Sequence, residues 1–351
     1  MRIEPRESMS YTAAALAPIV AIAVAFALGA VLILWAGQSP LTAYVRLFAG
    51  ALGSKFAFTE TITRSIPLIL TGLAAAVAFR AKFWNIGAEG QLYCGALAAT
   101  YFGTGLLDLP AVLLIPFLFI AGALAGGAAL ILPVFLKTKL KVDEVVTTLL
   151  LNFVILLFVS FLIEGPWKDP MSLGWPQAAP IVDEGVLPKL MAKGRLHAGL
   201  IVALFMAVAM WVIMRFTVWG YDIRAVGHNI QAAEFAGIGI TRTVVMTALI
   251  SGGLAGMAGV SEVAGLKGYL TLDISPGFGY TGIAVAMLAN LHPLGVVPAA
   301  IFLSAIYVGA DSMSRVLNIP NYIADVLVAL SVLAVLVSVL FARFRISFKQ
   351  A

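Results

Sequence analysis

About ten stretches of this chain run on with almost no charge and little between them, at residues 13–36, 62–79, 86–104, 111–136, 145–163, 197–214, 243–263, 279–291, 295–311 and 322–341. A helix needs about 20 apolar residues to cross a bilayer. The spacing therefore predicts an all-α fold: a polytopic membrane protein with about ten transmembrane helices, forming a single transmembrane domain over residues 1–351. The two runs around His292-Pro293 are short. They fit either two tilted spans or a re-entrant hairpin buried in protein. Both arrangements leave an even number of crossings, with the two termini on one side. The first run, 13–36, is longer than the apolar core of a signal peptide and reads as the first span.

Composition agrees over the whole length. Hydrophobic residues make up 62% of the chain and charged residues 11%, with a mean hydropathy of +1.03. Soluble domains carry about 45–50% apolar and about 25% charged residues. The net charge of +5 fits Lys and Arg gathered in cytoplasmic loops better than it fits nucleic-acid binding. The short connections set the orientation: Arg80/Lys82, Lys137/Lys139/Lys141 and Arg343/Arg345 fall on one side, which places both termini in the cytoplasm. Two connections are long. Residues 164–196, rich in Pro and Trp, form an extracytoplasmic loop, and 215–242 form a cytoplasmic one.

Catalytic signatures are missing. No Lys follows a Gly, so no P-loop exists to hydrolyse ATP. The single cysteine, Cys94, excludes an intrachain disulfide, and His197, His228 and His292 are too scattered for a metal site. The chain reads as no enzyme, with no cofactor of its own.

Three segments place polar groups where lipid is expected. Asn85-Ile86-Gly87-Ala88-Glu89-Gly90-Gln91 opens the third run. A carboxylate at mid-span costs about 2.5–3.5 kcal/mol on insertion scales. Glu89 therefore needs a helix end, a partner such as Arg80 or Lys82, or a cavity. Asn85 has the chemistry of a helix cap. The fifth run opens on Asp143-Glu144, which suits a helix N-terminus beside lysines, and carries Asn152 two turns on. Asn290 poses the same choice as Asn152, between packing and pathway. Together Asn85, Glu89, Gln91, Asn152 and Asn290 are candidate solute-pathway groups. The runs Gly122–Ala129 and Ser251–Gly259 are rich in small residues and predict close helix packing.

In the inner loop, Asn229 suits an N-cap and Gly237 a C-terminal stop, with about two turns of helix between them. At helical spacing Asn229, Ala232, Ala233 and Ala236 share a small face, suited to docking in a groove of another protein.

NIGAEGQ at 85–91, EVVTTLLLN at 144–152, GHNIQAAEFAGI at 227–238 and GYTGIAVAMLANLHPLGVVPAAIF at 279–302 resemble the permeases of simple-sugar, nucleoside and branched-chain amino-acid ABC importers. Within these, the chain resembles the larger permease of nucleoside-type importers. The resemblance implies a multi-pass subunit of the inner (plasma) membrane, in contact with lipid. It implies a coupling helix at about 229–236 that seats in a separate ABC ATPase, with Gly227, Asn229, Ala232, Ala233, Ala236 and Gly237 at the docking surface. ATP and Mg would then bind on that partner. Further implied partners are a second, different permease subunit and an extracytoplasmic solute-binding lipoprotein. Nucleosides are the expected cargo and simple sugars the alternative. An ion-coupled secondary transporter is the rival of another class; Glu89 and Glu262 are its candidate ion sites, and it leaves the inner helix unexplained.

Overall fold

The computed structural model describes residues 2–5, 11–192 and 194–320, the separate positions 322, 326, 329, 330, 333, 334, 337 and 338, and residues 344–347. Helices dominate: α1 Tyr11–Trp35, α2 Pro40–Leu52, α3 Lys55–Arg80, α4 Ala88–Gly103, α5 Ala111–Ala129, α6 Ile131–Leu140, α7 Glu144–Glu164, α8 Gly199–Phe216, α9 Val218–His228, α10 Ile230–Phe235, α11 Ile240–Glu262, α12 Phe278–Leu288 and α13 Pro293–Leu317. Strands β1 (Arg2–Pro5) and β2 (Phe344–Ser347) pair antiparallel and bring the two ends of the chain together.

Six helical stretches among the described residues are long and apolar enough to cross a membrane, or seven if the pair 23–35 and 40–52, bent by 115°, is one broken span. This is fewer than the ten expected. The run 322–341 lies largely outside the described residues. The run 86–104 becomes the 16-residue α4. The run 279–291 becomes the 11-residue α12, about 16 Å long at 1.5 Å per residue against a hydrocarbon core of about 30 Å. Backbone geometry makes the breaks. Gly277 (φ +91°) precedes α12, and Asn290 and Leu291 (φ +52° and +57°) end it in the left-handed region.

The chain divides into two compact units, residues 1–61 with 301–351 and residues 62–300. In the first, Leu47 is buried, Thr61 Oγ1 donates to Ala51 O at 2.9 Å, and Ser304 Oγ donates to Thr61 O at 2.6 Å.

The second unit is centred on α4, α5 and α11, which meet backbone to backbone. A methyl group on Gly95 would lie 2.5 Å from Gly256 Cα, and one on Gly256 would lie 3.0 Å from the Gly122 carbonyl carbon and 3.1 Å from Gly126 Cα. The small-residue runs thus do what their composition predicts. In lipid no hydrophobic force drives helices together, and close approach with dense van der Waals contact takes its place.

The loop 164–196 straps one end of this unit: Val182 N donates to Gly103 O at 2.8 Å, Ile181 N to Gly268 O at 2.9 Å and Leu187 N to Ala264 O at 2.8 Å. The basic connections gather at the other end. Arg80 Nε donates to Leu291 O at 3.0 Å, and Lys137 pairs with Glu144, whose Oε1 also accepts from Trp84 N at 3.2 Å.

Candidate functional site

Between α3 and α4 the backbone leaves the helical path. Lys82 (φ +53°) ends α3, and in the stretch that follows Trp84 N, Ile86 N and Ile86 O have no helical backbone partner. Unpaired, each would cost free energy at this depth. Side chains of α7 satisfy them from one face, a turn apart. Glu144 accepts from Trp84 N at 3.2 Å, Thr148 Oγ1 from Ile86 N at 3.2 Å, and Asn152 Nδ2 donates to Ile86 O at 3.0 Å while its Oδ1 accepts from Gly90 N at 2.9 Å. Asp143 caps α7 by accepting from Val145 N at 2.8 Å.

Asn85 and Gln91 form a reciprocal amide pair, Nδ2 to Oε1 at 2.9 Å and Nε2 to Oδ1 at 2.8 Å. Asn85 Oδ1 also accepts from Gly87 N at 2.9 Å, in the Asx-turn manner that lets a side chain organise the start of a helix. Its Nδ2 also reaches Ser251 Oγ at 2.9 Å, and Ser251 donates on to Ala74 O at 2.8 Å. Asn85, Gln91 and Asn152 are all buried, with their polar atoms engaged inside the chain.

Glu89 joins the same cluster through another contact. Its Oε2 accepts from Gly279 N at 2.7 Å, so the carboxylate sits in the first turn of α4 and at the start of α12. Two helix N-termini supply partial positive charge there. Arg80 and Lys82 point elsewhere: Arg80 bonds Leu291 O, and Lys82 Nζ lies 3.5 Å from His228 O. Pairing with either is thus replaced by helix capping, because backbone N–H groups reach the carboxylate first. Asn290 stands apart from the cluster. It is exposed in the left-handed turn between α12 and α13, at the end where Arg80 meets Leu291. Asn tolerates that backbone better than most residues, so a turn role explains it.

Helix α10 begins and ends where its caps predict. Asn229 Oδ1 accepts from Ala232 N at 3.1 Å, and Gly237 takes φ +82°. Its faces differ from expectation. Ala233 is 3% exposed and turns into the protein, whereas Phe235 is 96% exposed. Ile230, Ala232 and Ala236 are exposed with it. The reason is that α10 packs on α9 and α11, which takes up one face. Gly227 is likewise used in packing: a methyl there would lie 2.9 Å from the Arg80 carbonyl carbon.

Three participants escaped the sequence reading, Ser251, Tyr280 and Phe235, and Thr148 is polar in the fifth run without an assigned role. The polar stripe Glu144-Thr148-Asn152, four residues apart, is a visible signal for Thr148. Tyr280, whose hydroxyl accepts from Asn152 Nδ2 at 3.1 Å, and Ser251 act across sequence separations no local pattern reports. Outside the spans, Asp273 is held below the usual carboxylate range by hydrogen bonds from Thr271 and Lys267.

The match with known proteins covers these same segments. Residues 57–336 match the family described as "Branched-chain amino acid transport system / permease component". The chain is 36% identical to the guanosine ABC transporter permease protein NupP of Bacillus subtilis, over 91% of this chain and 92% of that one. It is 34% identical to the nucleoside ABC transporter permease protein NupB of Lactococcus lactis, over 90% and 88%. It is 33% identical to the glucose ABC transporter permease protein TsgB13 of Haloferax volcanii, over 99% and 93%. A family match across most of the chain, on a helical fold with several apolar spans, shows that the chain belongs to the branched-chain amino acid transport system permease family.

Proposed function

We propose that this protein is the membrane-spanning permease subunit of an ATP-driven importer and that its cargo is nucleosides. The observation that carries the cargo is the similarity, over about nine-tenths of the chain, to permeases named for guanosine and for nucleosides. A glucose permease at 33% identity supports simple sugars as the second reading.

In this reading the end bearing Arg80, Lys82, Lys137 and α10 faces the cytoplasm, following the positive-inside rule. Helix α10 is the coupling helix, and its docking surface is Phe235 with Ile230, Ala232 and Ala236. A large apolar side chain left bare on a short helix outside the spans fits insertion into a partner pocket. ATP binds and is hydrolysed on a separate ATPase subunit. A second permease completes the pathway, and an extracytoplasmic binding protein delivers the solute above the strap 164–196.

Asn85, Gln91 and Asn152 serve first as fasteners of the broken segment between α3 and α4. Any part they play in passing solute runs through rearrangement of that network. The permease itself needs two packings close in energy, biased by ATP at one end and by loaded binding protein at the other.

The test is uptake of labelled guanosine and adenosine by cells carrying the complete transporter, with and without this subunit. Saturable uptake that vanishes on deletion is expected. Unchanged nucleoside uptake with loss of glucose or ribose uptake instead would move the protein to the sugar branch.

A further inference from the structure

A hollow of about 250 Å³ lies among the ends of α3 and α8, the middle of α9 and the start of α13. Arg80, Arg215 and Arg224 line it with His292 and Trp211, and no carboxylate does. None of the three guanidinium groups is ion-paired among the described residues. Arg80 spends only its Nε, on Leu291 O. Three cations facing one hollow repel one another, and an arrangement of this kind is stable when an anion sits between them.

The depth of the hollow follows from the helices that end at it. Arg80 is the last residue of one candidate span, Arg215 lies one residue before the end of another, and Pro293 begins a third. Those ends mark the headgroup layer, where Trp side chains also concentrate. Helix α8, which carries Trp211 and Arg215, is mean-apolar along its length and presents Val208, Val212 and Phe216 outward. Acyl chains therefore run along α8 directly up to the arginines.

We infer that this hollow is a binding site for the phosphate of an anionic phospholipid, with the guanidinium groups of Arg80, Arg215 and Arg224 holding the phosphate oxygens. Arginine suits the task because its planar fork bonds two phosphate oxygens at once. Basic pockets between spans are a known mode of headgroup recognition. The site does not depend on the transport reading; only the leaflet that supplies the lipid follows from the orientation proposed above. A lipid held here would bridge α3, α8, α9 and α13 beside α10.

Trp211 supplies the readout. The full chain is placed in nanodiscs containing brominated phosphatidylglycerol or brominated phosphatidylcholine, and its fluorescence is compared with that of Trp211→Phe to isolate the Trp211 signal. Quenching of Trp211 at lower mole fraction by the phosphatidylglycerol is expected. The preference should fall about fivefold for each arginine neutralised, in Arg215→Gln and again in Arg215→Gln/Arg224→Gln. Arg215→Lys, which keeps the charge but loses the planar fork, should fall between wild type and Arg215→Gln. Equal quenching by the two lipids, or a preference unchanged in the double variant, would overturn the site. Loss of the preference on adding inorganic phosphate at constant ionic strength would overturn the lipid as the source of the phosphate and assign the hollow to a free anion.

Discussion

Replacing Gly256 with alanine tests whether backbone contact holds the second unit together. The new methyl group would lie 3.0 Å from the Gly122 carbonyl carbon and 3.1 Å from Gly126 Cα, with the Gly122 oxygen nearer still. Carbon atoms prefer separations of about 3.5–4.0 Å. Every atom it meets belongs to backbone, so no side chain can turn aside, and α5 and α11 must part by up to about 1 Å. Overpacking costs about 1–3 kcal/mol, and the rigid surroundings put this site at the upper end. Alanine returns about 1 kcal/mol as the better helix former, leaving a net loss of about 2 kcal/mol. Gly253→Ala is the matched control on the same helix. Its methyl group would lie 3.3 Å from Ala123 O and farther from the rest, so strain and propensity nearly cancel. Cys94, the single cysteine, is partly buried in α4 and reports the loss of packing when a thiol-reactive dye reaches it on heating. At about 2–4 °C per kcal/mol for a unit the size of residues 62–300, Gly256→Ala should melt about 4–8 °C below wild type and Gly253→Ala within about 2 °C of it. Equal melting of the two variants would refute the argument from close approach.

Glu89→Gln keeps an acceptor for Gly279 N and should retain most transport, whereas Glu89→Leu leaves that donor buried without a partner and should lower both accumulation and uptake. Abolition of transport by Glu89→Gln at normal protein levels would show that the ionised carboxylate itself is used, as an ion-coupled carrier requires. Phe235→Ala should remove transport and ATPase stimulation in the assembled complex while the protein accumulates normally, and the exposed Gln231→Lys should be mild; transport at wild-type rates in Phe235→Ala would end the case for docking through this side chain. A cysteine at residue 231 in a Cys94→Ala background should be labelled by a membrane-impermeant reagent only in inside-out vesicles, and labelling of intact cells would reverse the orientation.

The apolar runs and small-residue stretches were legible because each is a local property. An apolar run commits a segment to helix in lipid, and the glycines of Gly122–Ala129 and Ser251–Gly259 leave room that a neighbouring backbone fills. Caps were legible for the same reason: Asp143, Asn229 and Gly237 act within three residues of their own positions. Span number was harder to read, because a break such as Gly277 or Asn290-Leu291 does not lower hydropathy; it changes only the backbone. The face of α10 was misread through its neighbours. Helical spacing puts Ala232, Ala233 and Ala236 on one face, but packing against α9 and α11 turns Ala233 inward and leaves Ala232, Ala236 and Phe235 exposed. Glu89 met the same limit, since its partner Gly279 lies 190 residues away in the chain.

The polar network is mechanically linked to α10, the coupling helix proposed above. The segment from Trp84 to Gly87 is unwound backbone in an apolar setting, and α7 side chains answer Trp84 N, Ile86 N and Ile86 O while Ser251 of α11 holds the Asn85 amide. Pulling α7 away from it would strand several buried donors and acceptors at once, at about 1–3 kcal/mol each. The glycine contacts of α4, α5 and α11 resist sliding for a separate reason, because densely packed surfaces change in steps rather than continuously. This part of the unit is therefore stiff, and a force applied at α10 has to move it as a body. The path for that force is short. Helix α10 packs on α9, and α9 meets the end of α3 at Gly227, where the gap to the Arg80 backbone admits no side chain. Arg80 in turn holds the turn after α12 through Leu291 O. An ATPase that shifts Phe235 would thus displace the end of α3 and the start of α13 together.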